Sequence, residues 1–494
     1  MKKYTLTLFL IAGFSIANAQ TYALDPSFGD AGVKFYNTMT SFQPTKGIIF
    51  ENNYYLMGPE RIVKIDYDGN IVTGFGTNGS LTIAPSAWDS YKIKGIEKSG
   101  SFFYIYGYFN TDSTYDMFIY KIDTNGVFDA TFGTNGKLTI NMGGAESLES
   151  MVVEPSGKLF GLGMHNGQLI YFKLNTDGSF DTSFDATGYK TINISGGTNP
   201  YGLFIAPYDN GYLISGRVYI NSNYNLFFFK VSMAGVADTS FGAAGIRTLY
   251  VPSFVAASVS SSQLFQNKVY LSGFPYAGPN LPLSLAVYDI ASNTAQVKNM
   301  IYSEGSFAVD ADGMYSTGYY YCGPGNTNGC GNKFNLRKRD FNGDPDPSFQ
   351  NNAEYQYSYP YATDNVASLF IKDEAGRILI AGYKKSTIGQ GNPSPYNGFM
   401  MIRLGDVLAT TQPTIENVAA YPNPFVDEIH INAATPIQSL VVSDLSGRML
   451  SQPKFTRSGN DYLIDLSSLS QSGVYLLTIN NTDGTVSKTK IMRR

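Results

Sequence analysis

The residue types that could bind an ion recur along the chain in one short motif. The stretch Asp123–Gly136 reads DTNGVFDATFGTNG, and similar stretches follow one another between Leu24 and Leu404. Asp, Asn and Gly at this density could hold calcium, but a calcium loop needs six or more oxygens and a terminal bidentate Glu. The copy SMAGV has no carboxylate in its turn, and no copy ends in such a Glu. We therefore interpret the motif as a hairpin turn, with Gly at positive φ and Asp capping the backbone.

Few other residues could carry catalysis. The two histidines, His165 and His430, fall in different parts of the chain, and there is no nucleophile-elbow motif. A pair of carboxylates could cleave a glycan if the fold brought them together, but the sequence does not place them. The carboxylates that interrupt the repeats are Glu60, Asp89, Glu97, Glu154, Asp364 and Asp373. We assign no catalytic residue, no metal and no cofactor, and keep a secreted propeller hydrolase or lyase acting on glycans as the alternative.

The only two cysteines are Cys322 and Cys330, in YYYCGPGNTNGCG. Two cysteines eight positions apart across a Gly- and Asn-rich loop most simply form a disulfide in an oxidising compartment. A metal pair is the other interpretation, and it lacks further soft ligands nearby. The sequence therefore predicts a Cys322–Cys330 disulfide.

The N-terminus has the composition of a secretory signal. In MKKYTLTLFLIAGFSIANAQ two lysines precede an apolar run, and Ala17–Ala19 forms a small-residue cleavage site. The apolar run is too short to span a membrane, so we expect residues 1–19 to be a signal peptide cleaved between Ala19 and Gln20. Elsewhere no run is long enough for a transmembrane segment. The chain has 35 basic and 39 acidic side chains and no basic tract, so nucleic acid is not an expected partner.

Two independent series of residues repeat along residues 20–408. In the first, a strand with Lys is followed five residues later by Gly, and six residues after that by Phe, as at Lys121, Gly126 and Phe132. The second series consists of strands that end in Gly. Its members are Gly58, Gly107, Gly163, Gly216, Gly273, Gly318 and Gly382. Both series count seven units, with degenerate Lys-strand copies at Asn293 and Arg403.

Each unit reads as four short strands, which is typical of a propeller blade. In the third unit they are Met151–Glu154, Lys158–Met164, Leu169–Asn175 and Tyr189–Ile194. The last unit lacks its Phe motif and fourth strand, and Leu24–Asn37 can supply both. A ring closed in this way leaves no open sheet edge, so we favour a seven-bladed β-propeller closed by the N-terminal strand over an open solenoid.

At these residues the chain resembles the delta-60 repeat family, named for its repeat length. The resemblance covers about Leu24–Leu404 and is clearest in the xxDxSFGxxG segments. It is weaker at the fifth unit, where Asn299 stands in the Phe position, and at Asp185, which replaces the first Gly of that segment. The resemblance implies no particular activity.

Ligand contacts are expected on the face opposite the repeated turns. The loops there do not repeat and are rich in Tyr, and they carry the only Trp. Binding residues concentrate on loops held by a rigid scaffold, and Tyr and Trp suit glycan or protein contacts. The candidate ligand-binding residues are Trp88, Tyr201, Tyr276, Tyr357, Tyr359 and Tyr361. The alternative is that these aromatics only cover the rim of the ring.

The repeats stop at a Thr- and Pro-bearing linker, residues 409–416, and residues 417–494 read as a small Ig-like β-sandwich of alternating strands. This module resembles the type A C-terminal sorting domain of the type IX secretion system. The residues that carry the resemblance are Tyr421, Pro422, Asn423, Pro424 and Phe425, with Gly473 and Tyr475 in SGVYLLTI and the basic C-terminus. An ordinary stalk-like sandwich is the alternative.

The sorting-domain resemblance implies where the chain goes. Proteins of that family leave by the general secretory route, are recognised by the type IX machinery and cross the outer membrane, usually with removal of the module. We therefore predict an all-β protein that is secreted, or anchored at the outer membrane on the cell surface, after passing through the periplasm. Its expected function is a binding or interaction scaffold for a glycan or a surface protein.

Overall fold

The structure is a computed structural model whose regular elements are strands. It describes the following residues: 22–36, 39, 42–83, 90–110, 114–252, 254, 259–273, 284–299, 306–319, 334–350, 353–357, 364–385, 398–406, 420–433, 435–443, 449–469, 471–481 and 486–494. The chain divides into two compact units, residues 1–406 and 407–494. Within the described ranges, no helix has the length and apolar character needed to cross a membrane.

The N-terminal unit begins with two short strands, β1 (Tyr22–Leu24) and β2 (Val33–Tyr36), and continues with six four-stranded sheets. The first three sheets are β3 (Lys46–Phe50), β4 (Asn53–Met57), β5 (Arg61–Asp66), β6 (Ser80–Thr82); β7 (Ser90–Ser99), β8 (Phe102–Asn110), β9 (Tyr115–Asp123), β10 (Lys137–Ile140); and β11 (Glu146–Val153), β12 (Leu159–His165), β13 (Gln168–Leu174), β14 (Tyr189–Thr191). The next three are β15 (Thr198–Tyr208), β16 (Gly211–Ile220), β17 (Asn223–Ser232), β18 (Ile246–Leu249); β19 (Val259–Phe265), β20 (Lys268–Gly273), β21 (Ser284–Asp289), β22 (Thr294–Asn299); and β23 (Phe307–Asp310), β24 (Gly313–Tyr319), β25 (Phe334–Arg339), β26 (Glu354–Tyr357).

The seventh sheet of this unit joins the two ends of the unit. It contains β27 (Asp364–Lys372), β28 (Ile378–Lys385) and β29 (Gly398–Asp406), and both N-terminal strands pair with β29. Val33 lies opposite Ile402 and Tyr36 opposite Phe399, while Leu24 lies opposite Leu404. The predicted pairing of the N-terminal segment with the last repeat is therefore present, and β1 adds a second pairing that was not predicted.

Seven hydrophobic clusters lie between successive sheets. Each pair of neighbouring sheets, from the first and second to the sixth and seventh, shares one cluster. The remaining cluster lies between the seventh sheet and the first and contains Phe28, Tyr54 and Phe399. The first strand of the seventh sheet contacts that of the first sheet. The middle strands are apolar on both faces, as in β8 (FFYIYGYFN), because each sheet has a neighbour on either side.

The repeated motif builds the contact between one sheet and the next. Asp123 accepts hydrogen bonds from the backbone N–H groups of Asn125 and Val127, both at 2.8 Å, and Gly126 adopts φ 80°. Phe132 is fully buried, and a Cβ on Gly178, in the turn of the next sheet, would lie 3.2 Å from its ring. The hairpin-turn interpretation of the motif is confirmed by these bonds.

The four strands predicted for the third unit are found, with one instructive difference. The first of them begins at Glu146, five residues earlier than predicted, and contains a β-bulge between Leu148 and Ser150. The bulge makes Leu148 and Glu149 buried in succession, so the alternation that marks a strand is interrupted there. That interruption concealed the start of the strand.

The C-terminal unit has two four-stranded sheets around one hydrophobic core. The strands are β30 (Ala420–Tyr421), β31 (Glu428–Asn432), β32 (Ile437–Ser443), β33 (Met449–Ser451), β34 (Phe455–Ser458), β35 (Asp461–Asp465), β36 (Gly473–Asn481) and β37 (Val486–Arg493). One sheet has the order β30, β31, β35, β34 and the other β33, β32, β36, β37. Alternation in the sequence predicts five of these strands, at Glu428–Asn432, Ser439–Ser443, Tyr462–Leu466, Val474–Ile479 and Val486–Met492, and does not predict the short β30, β33 and β34.

Candidate functional site

A cavity of about 830 Å³ lies among the first strands of five sheets of the N-terminal unit. We call it the inner cavity. Residues of β3, β7, β11, β15 and β19 line it, and its volume falls within the roughly 300–1,000 Å³ of typical ligand sites. Its charged lining residues, among those described, are Lys46, Lys92, Lys94, Glu97 and Glu149.

β-Bulges place several of these side chains. In β7 the pairing register shifts between Ile93 and Gly95, which makes Lys94 the extra residue. In β11 the same shift makes Glu149 the extra residue. Bulges re-aim side chains and are frequent beside functional sites. Here they bring a lysine and a glutamate from neighbouring sheets into the same cavity.

The repeating glycines, which the sequence suggests end their strands, lie inside the second strands and accommodate these bulges. A Cβ on Gly107 would lie 2.0 Å from the carbonyl oxygen of Lys92, and one on Gly163 would lie 2.5 Å from that of Ser147. A Cβ on Gly216 would likewise lie 2.3 Å from the carbonyl oxygen of Tyr201. The repeating Gly seen in the sequence is thus a requirement of the first strand's backbone.

Glu149, Lys94 and Tyr201 form a connected cluster in the wall of the inner cavity. The Tyr201 hydroxyl donates a 2.6 Å hydrogen bond to Glu149 Oε2, and Lys94 Nζ forms an ion pair with the same oxygen. Ser147 Oγ donates to Glu149 Oε1 at 2.6 Å, so both carboxylate oxygens are occupied. Lys94 Nζ also lies 3.0 Å from the Tyr201 hydroxyl.

Burial and electrostatics keep the Tyr201 hydroxyl protonated. Burial raises the pKa of Tyr201, and the negative charge of Glu149 and its hydrogen bond raise it further. The Arg217 guanidinium, 4.7 Å from the centre of the Tyr201 ring, opposes this shift. Tyr201 therefore stays a protonated donor, and the cation over its ring holds it in place.

The two other lysines of the inner cavity lack the ion-pair partner that Lys94 has. Lys46 and Lys92 have no ion-pair partner among the described residues. The charge of Lys94, and then burial, lower the pKa of Lys92, while burial is the main cause that lowers the pKa of Lys46. The exposed surface of Lys46 faces the inner cavity, where surrounding protein disfavours the charged form of its side chain.

Glu97 has an unusually high pKa for a glutamate side chain. Burial raises its pKa to about 7, and the charge of Lys46 offsets part of that effect. Tyr106, whose pKa burial also raises, senses the charges of both Glu97 and Glu149. The cavity therefore contains one carboxyl group, that of Glu97, which titrates near neutral pH.

The residues predicted as ligand contacts are distributed differently. Tyr201 lines the inner cavity. Tyr357 lies in β26, the last strand of its sheet, where it packs against the core between the sixth and seventh sheets, and the structure does not bring it to the cavity. The remaining predicted site residues of this unit lie outside the described residues: Trp88, Tyr276, Tyr359, Tyr361, Cys322, Cys330, Ala19 and Gln20.

The non-repeat carboxylates also separate into two groups. Glu97 lines the cavity, whereas Glu154 is buried elsewhere, accepting a 2.8 Å hydrogen bond from Tyr212 and pairing with Lys173. Glu60 pairs with Arg61 at the surface, and Asp373 caps a turn and pairs with Arg377. Asp364 begins β27, and Asp89 lies outside the described residues.

Sequence reasoning missed Lys94 and Glu149. Both stand where strand alternation fails, and in both cases a Gly within the second strand lies beside the bulge. A Gly that repeats at one position of paired strands was the available signal, because such a Gly often marks a bulge in its partner or a close backbone approach.

The predicted sorting-motif residues are structured in the C-terminal unit. Tyr421 stacks on His430 with ring centroids 5.5 Å apart, Asn423 Nδ2 donates to the carbonyl of Lys490 at 2.9 Å, and Phe425 is fully buried. The peptide bonds before Pro422 and Pro424 are cis. Gly473 opens β36, and the Tyr475 hydroxyl donates to the carbonyl of Gln471 at 2.6 Å.

A family model described as a secretion system C-terminal sorting domain matches residues 419–493. The C-terminal unit is therefore a type IX sorting domain, which confirms the resemblance seen in the sequence. The chain is a secreted protein exported by the type IX system, whose machinery recognises this domain, and such proteins are often anchored at the cell surface. A search of curated proteins finds no match.

Three solved structures similar to this chain are distant from it in sequence. PorZ, a surface component of the type IX secretion system of Porphyromonas gingivalis, is 13% identical with a TM-score of 0.35, over 94% of this chain and 70% of PorZ. The WD40 domain of Neurospora crassa Pan2 is 7% identical with a TM-score of 0.42, over 79% and 96%. The polysaccharide lyase Uly1 is 8% identical with a TM-score of 0.44, over 75% and 91%. Similarity at this level carries no functional argument.

Proposed function

We propose that this exported chain is a seven-bladed β-propeller that acts as a binding scaffold, with its ligand entering the inner cavity. The carrying observation is the cavity itself, where Lys94, Glu149 and Tyr201 from three sheets converge. Seven sheets with a hydrophobic cluster between each pair of neighbours support the ring. The blades resemble delta-60 repeats, and the two-sheet C-terminal unit is proposed to be Ig-like.

The proposal includes the organisation of the chain. Residues 1–19 are the signal peptide, residues 20–408 the propeller, residues 409–416 the linker and residues 417–494 the sorting domain. Cys322 and Cys330 form a disulfide in one of the non-repeating loops. The aromatic residues Trp88, Tyr276, Tyr359 and Tyr361 are proposed to flank the entrance to the site, and Tyr201 to contact the ligand inside it.

The direction of the strands supports entry from the side of the non-repeating loops. In each antiparallel sheet, the start of the first strand and the repeated motif turn lie at opposite ends. Lys46, Lys92, Lys94, Glu149 and Tyr201 all lie in the first half of their strands. They are therefore closer to the variable loops than to the motif turns. This is expected for a binding site whose specificity is determined by loops.

A binding screen tests this proposal. The mature chain, residues 20–494, is applied to a glycan array and used to retrieve surface proteins, in parallel with Trp88→Ala and Tyr201→Ala. Tyr208→Ala is the matched control, because Tyr208 lies on the same strand as Tyr201 and outside the inner cavity. We expect Tyr201→Ala to weaken ligand binding at least tenfold while Tyr208→Ala retains it.

Two results would contradict the proposal. In one, no glycan and no surface protein is retained by the wild-type chain. In the other, a ligand is retained equally by wild type and Tyr201→Ala, which would place its site elsewhere. Thermal unfolding of each variant confirms that the fold is intact.

A glycan-cleaving enzyme is the second candidate, because Glu97 and Glu149 line the same cavity. Glu97, with its pKa raised by burial to about 7, could donate a proton at neutral pH. Glu149 has both oxygens occupied and is better suited to hold Lys94 and Tyr201. If the chain cleaves a glycan that it binds, Glu97→Gln should abolish turnover and preserve binding, as measured by product release and calorimetry.

A further inference from the structure

The inner cavity has an excess of cationic groups over available anionic ones. Three lysines and two glutamates line it among the described residues: Lys46, Lys92, Lys94, Glu97 and Glu149. Glu149 is fully used by Lys94, Tyr201 and Ser147. Lys46 and Lys92 form no ion pair among the described residues. The carboxyl that acts on Lys46 is Glu97, whose neutral form burial favours, and the one that acts on Lys92 is Glu149, which its other partners already occupy.

Lys94 is close enough to both of the other lysines to act on them electrostatically. Lys94 contributes a like-charge repulsion to both Lys46 and Lys92. Folding has thus placed Lys46 and Lys92, which have no ion-pair partner among the described residues, near Lys94, which Glu149 neutralises. An anion bound between Lys46 and Lys92 would relieve that repulsion, since it would be held by charge-assisted hydrogen bonds in partly dehydrated surroundings.

The remaining lining suits a saccharide. Thr45, Ser150, Ser261 and Ser262 contribute hydroxyl groups, and the rings of Tyr91 and Tyr201 contribute apolar faces with polar edges. This combination matches sugar rings, whose hydroxyl groups need donors and acceptors and whose apolar faces pack on aromatic rings. Lysines recognise an anion as point charges without the planar geometry that arginine imposes.

We propose that the inner cavity binds an oligosaccharide that carries carboxylate groups, with Lys46 and Lys92 contacting the carboxylates and Tyr201 packing on a sugar ring. This assignment rests on the binding role proposed above and names its ligand class. The sorting domain delivers the chain to the cell exterior, so the proposed ligand is an extracellular or cell-surface glycan.

Calorimetric titration of the mature chain with trigalacturonate tests the assignment. The methyl-esterified trimer serves as a neutral ligand of the same shape. We expect the acid to bind at least tenfold more tightly than the ester, and Lys46→Gln and Lys92→Gln each to weaken binding of the acid about tenfold, as for one charged hydrogen bond. Their thermal midpoints should be no lower than that of wild type, because each removes a repelled charge.

Lys98→Gln is the matched control. Lys98 lies on β7 with Lys92 and Lys94, but it packs over the ring of Phe50 and does not line the cavity. It should bind trigalacturonate as wild type does. Raising the salt concentration should weaken wild-type binding more than that of Lys92→Gln, since fewer charges remain to be screened.

Several outcomes would overturn the assignment. Equal affinity for the acid and the ester would remove the role of charge, and an equal loss in Lys98→Gln would make the effect non-specific. Triglutamate binding as tightly as trigalacturonate would favour an acidic peptide, and displacement of the trimer by inorganic phosphate at the same concentration would indicate a simple anion site.

The test also distinguishes failure of this assignment from failure of the binding role on which it rests. A neutral ligand whose binding depends on Tyr201 but not on Lys46 or Lys92 would refute the acidic saccharide and leave the binding scaffold intact. If no ligand depends on any residue of the inner cavity, both proposals fail.

Discussion

At the scale of single residues, Glu149 and Lys94 illustrate how a buried charge is retained. The side chain of Glu149 is 2% exposed, and its two oxygens interact with Lys94, Tyr201 and Ser147. A buried ion pair of this kind adds little net stability, but loss of one partner leaves an uncompensated charge. The cluster is therefore best understood as a device that orients Tyr201 and Lys94 toward the cavity.

Glu97 gives a prediction that depends on pH. Burial raises its pKa to about 7, above the value of about 4.3 expected for an unfolded chain. The folded state thus holds an extra proton between these values, so unfolding free energy falls as pH rises through this window. We expect Glu97→Gln to have a higher thermal midpoint than wild type at pH 8 and a similar one below pH 4.

Thermal unfolding followed by circular dichroism across pH 4–8 makes this measurement. Glu60→Gln is a suitable control, because Glu60 lies at the surface beside Arg61 and its loss should shift the midpoint little at any pH. A Glu97→Gln midpoint that tracks wild type at every pH would show that Glu97 is ionised and well solvated.

At the scale of elements, the recurring unit is a bulged first strand paired with a second strand that has Gly opposite the bulge. The bulges at Lys94 and Glu149 turn polar side chains into the cavity, and the carbonyl two residues earlier approaches the facing Gly. The same bulge in β15 makes Leu203 the extra residue and brings the carbonyl of Tyr201 onto Gly216. One backbone feature thus connects the repeat pattern with the candidate site.

Gly163→Ala tests this connection. The new Cβ would lie 2.5 Å from the carbonyl oxygen of Ser147, so β11 must shift or lose its bulge. We expect a loss of about 1–3 kcal/mol in unfolding free energy, as for overpacking at a buried site. We also expect Glu149 to be displaced from its position in the cavity wall, which should weaken ligand binding. Urea unfolding gives the first quantity, and ligand titration reports the second.

Gly74→Ala is the matched substitution. No atom lies within 4 Å of its added Cβ, and its φ is not in the left-handed region, so unfolding free energy should be unchanged or slightly higher. Equal stability of Gly163→Ala and wild type would mean that the bulge tolerates a side chain and that the repeating Gly has another cause.

At the scale of the whole N-terminal unit, closure depends on the pairing of β1 and β2 with β29 and on one buried ion pair. Arg403 stands in the degenerate seventh copy, where other units carry Lys, and its Nε donates to Asp25 at 2.9 Å. Its other nitrogens reach the carbonyl of Tyr67 and the hydroxyl of Ser27. Arg403 thus joins the last strand, the N-terminal motif and the first sheet.

Arg403→Met should therefore destabilise the unit strongly. It leaves the Asp25 carboxylate buried without its guanidinium and releases an end of the chain 378 residues away. We expect a loss of about 3 kcal/mol or more in unfolding free energy, measured by urea denaturation, together with faster proteolysis near the N-terminus.

Lys230→Met provides the comparison, because Lys230 occupies the equivalent place in the fourth sheet and pairs with Asp209 and Asp238, which lie 21 and eight residues away. Both partners are more exposed than Asp25 and both pairs are local, so the loss should be about 1 kcal/mol or less. If both substitutions destabilised the chain equally, Arg403 would have no special part in closure.

The sequence alone determined the repeat, the all-β character, the pairing of the N-terminal segment with the last repeat and the identity of the sorting domain. Each of these depends on residues close together in the chain or on a motif that recurs, as with Gly126 and Phe132 in their turn. Such local patterns do not depend on how the sheets are arranged, because a turn needs the same residue types wherever it lies.

Only the tertiary structure decided which residues share the inner cavity. Lys94, Glu149 and Tyr201 come from three different sheets, and two of them are the extra residue of a bulge, which alternation cannot reveal. Tyr201 and Tyr357 looked alike in the sequence, yet one lines the cavity and the other packs against a core. Contacts between distant strands depend on how the sheets meet, and that geometry is a property of the packed unit as a whole.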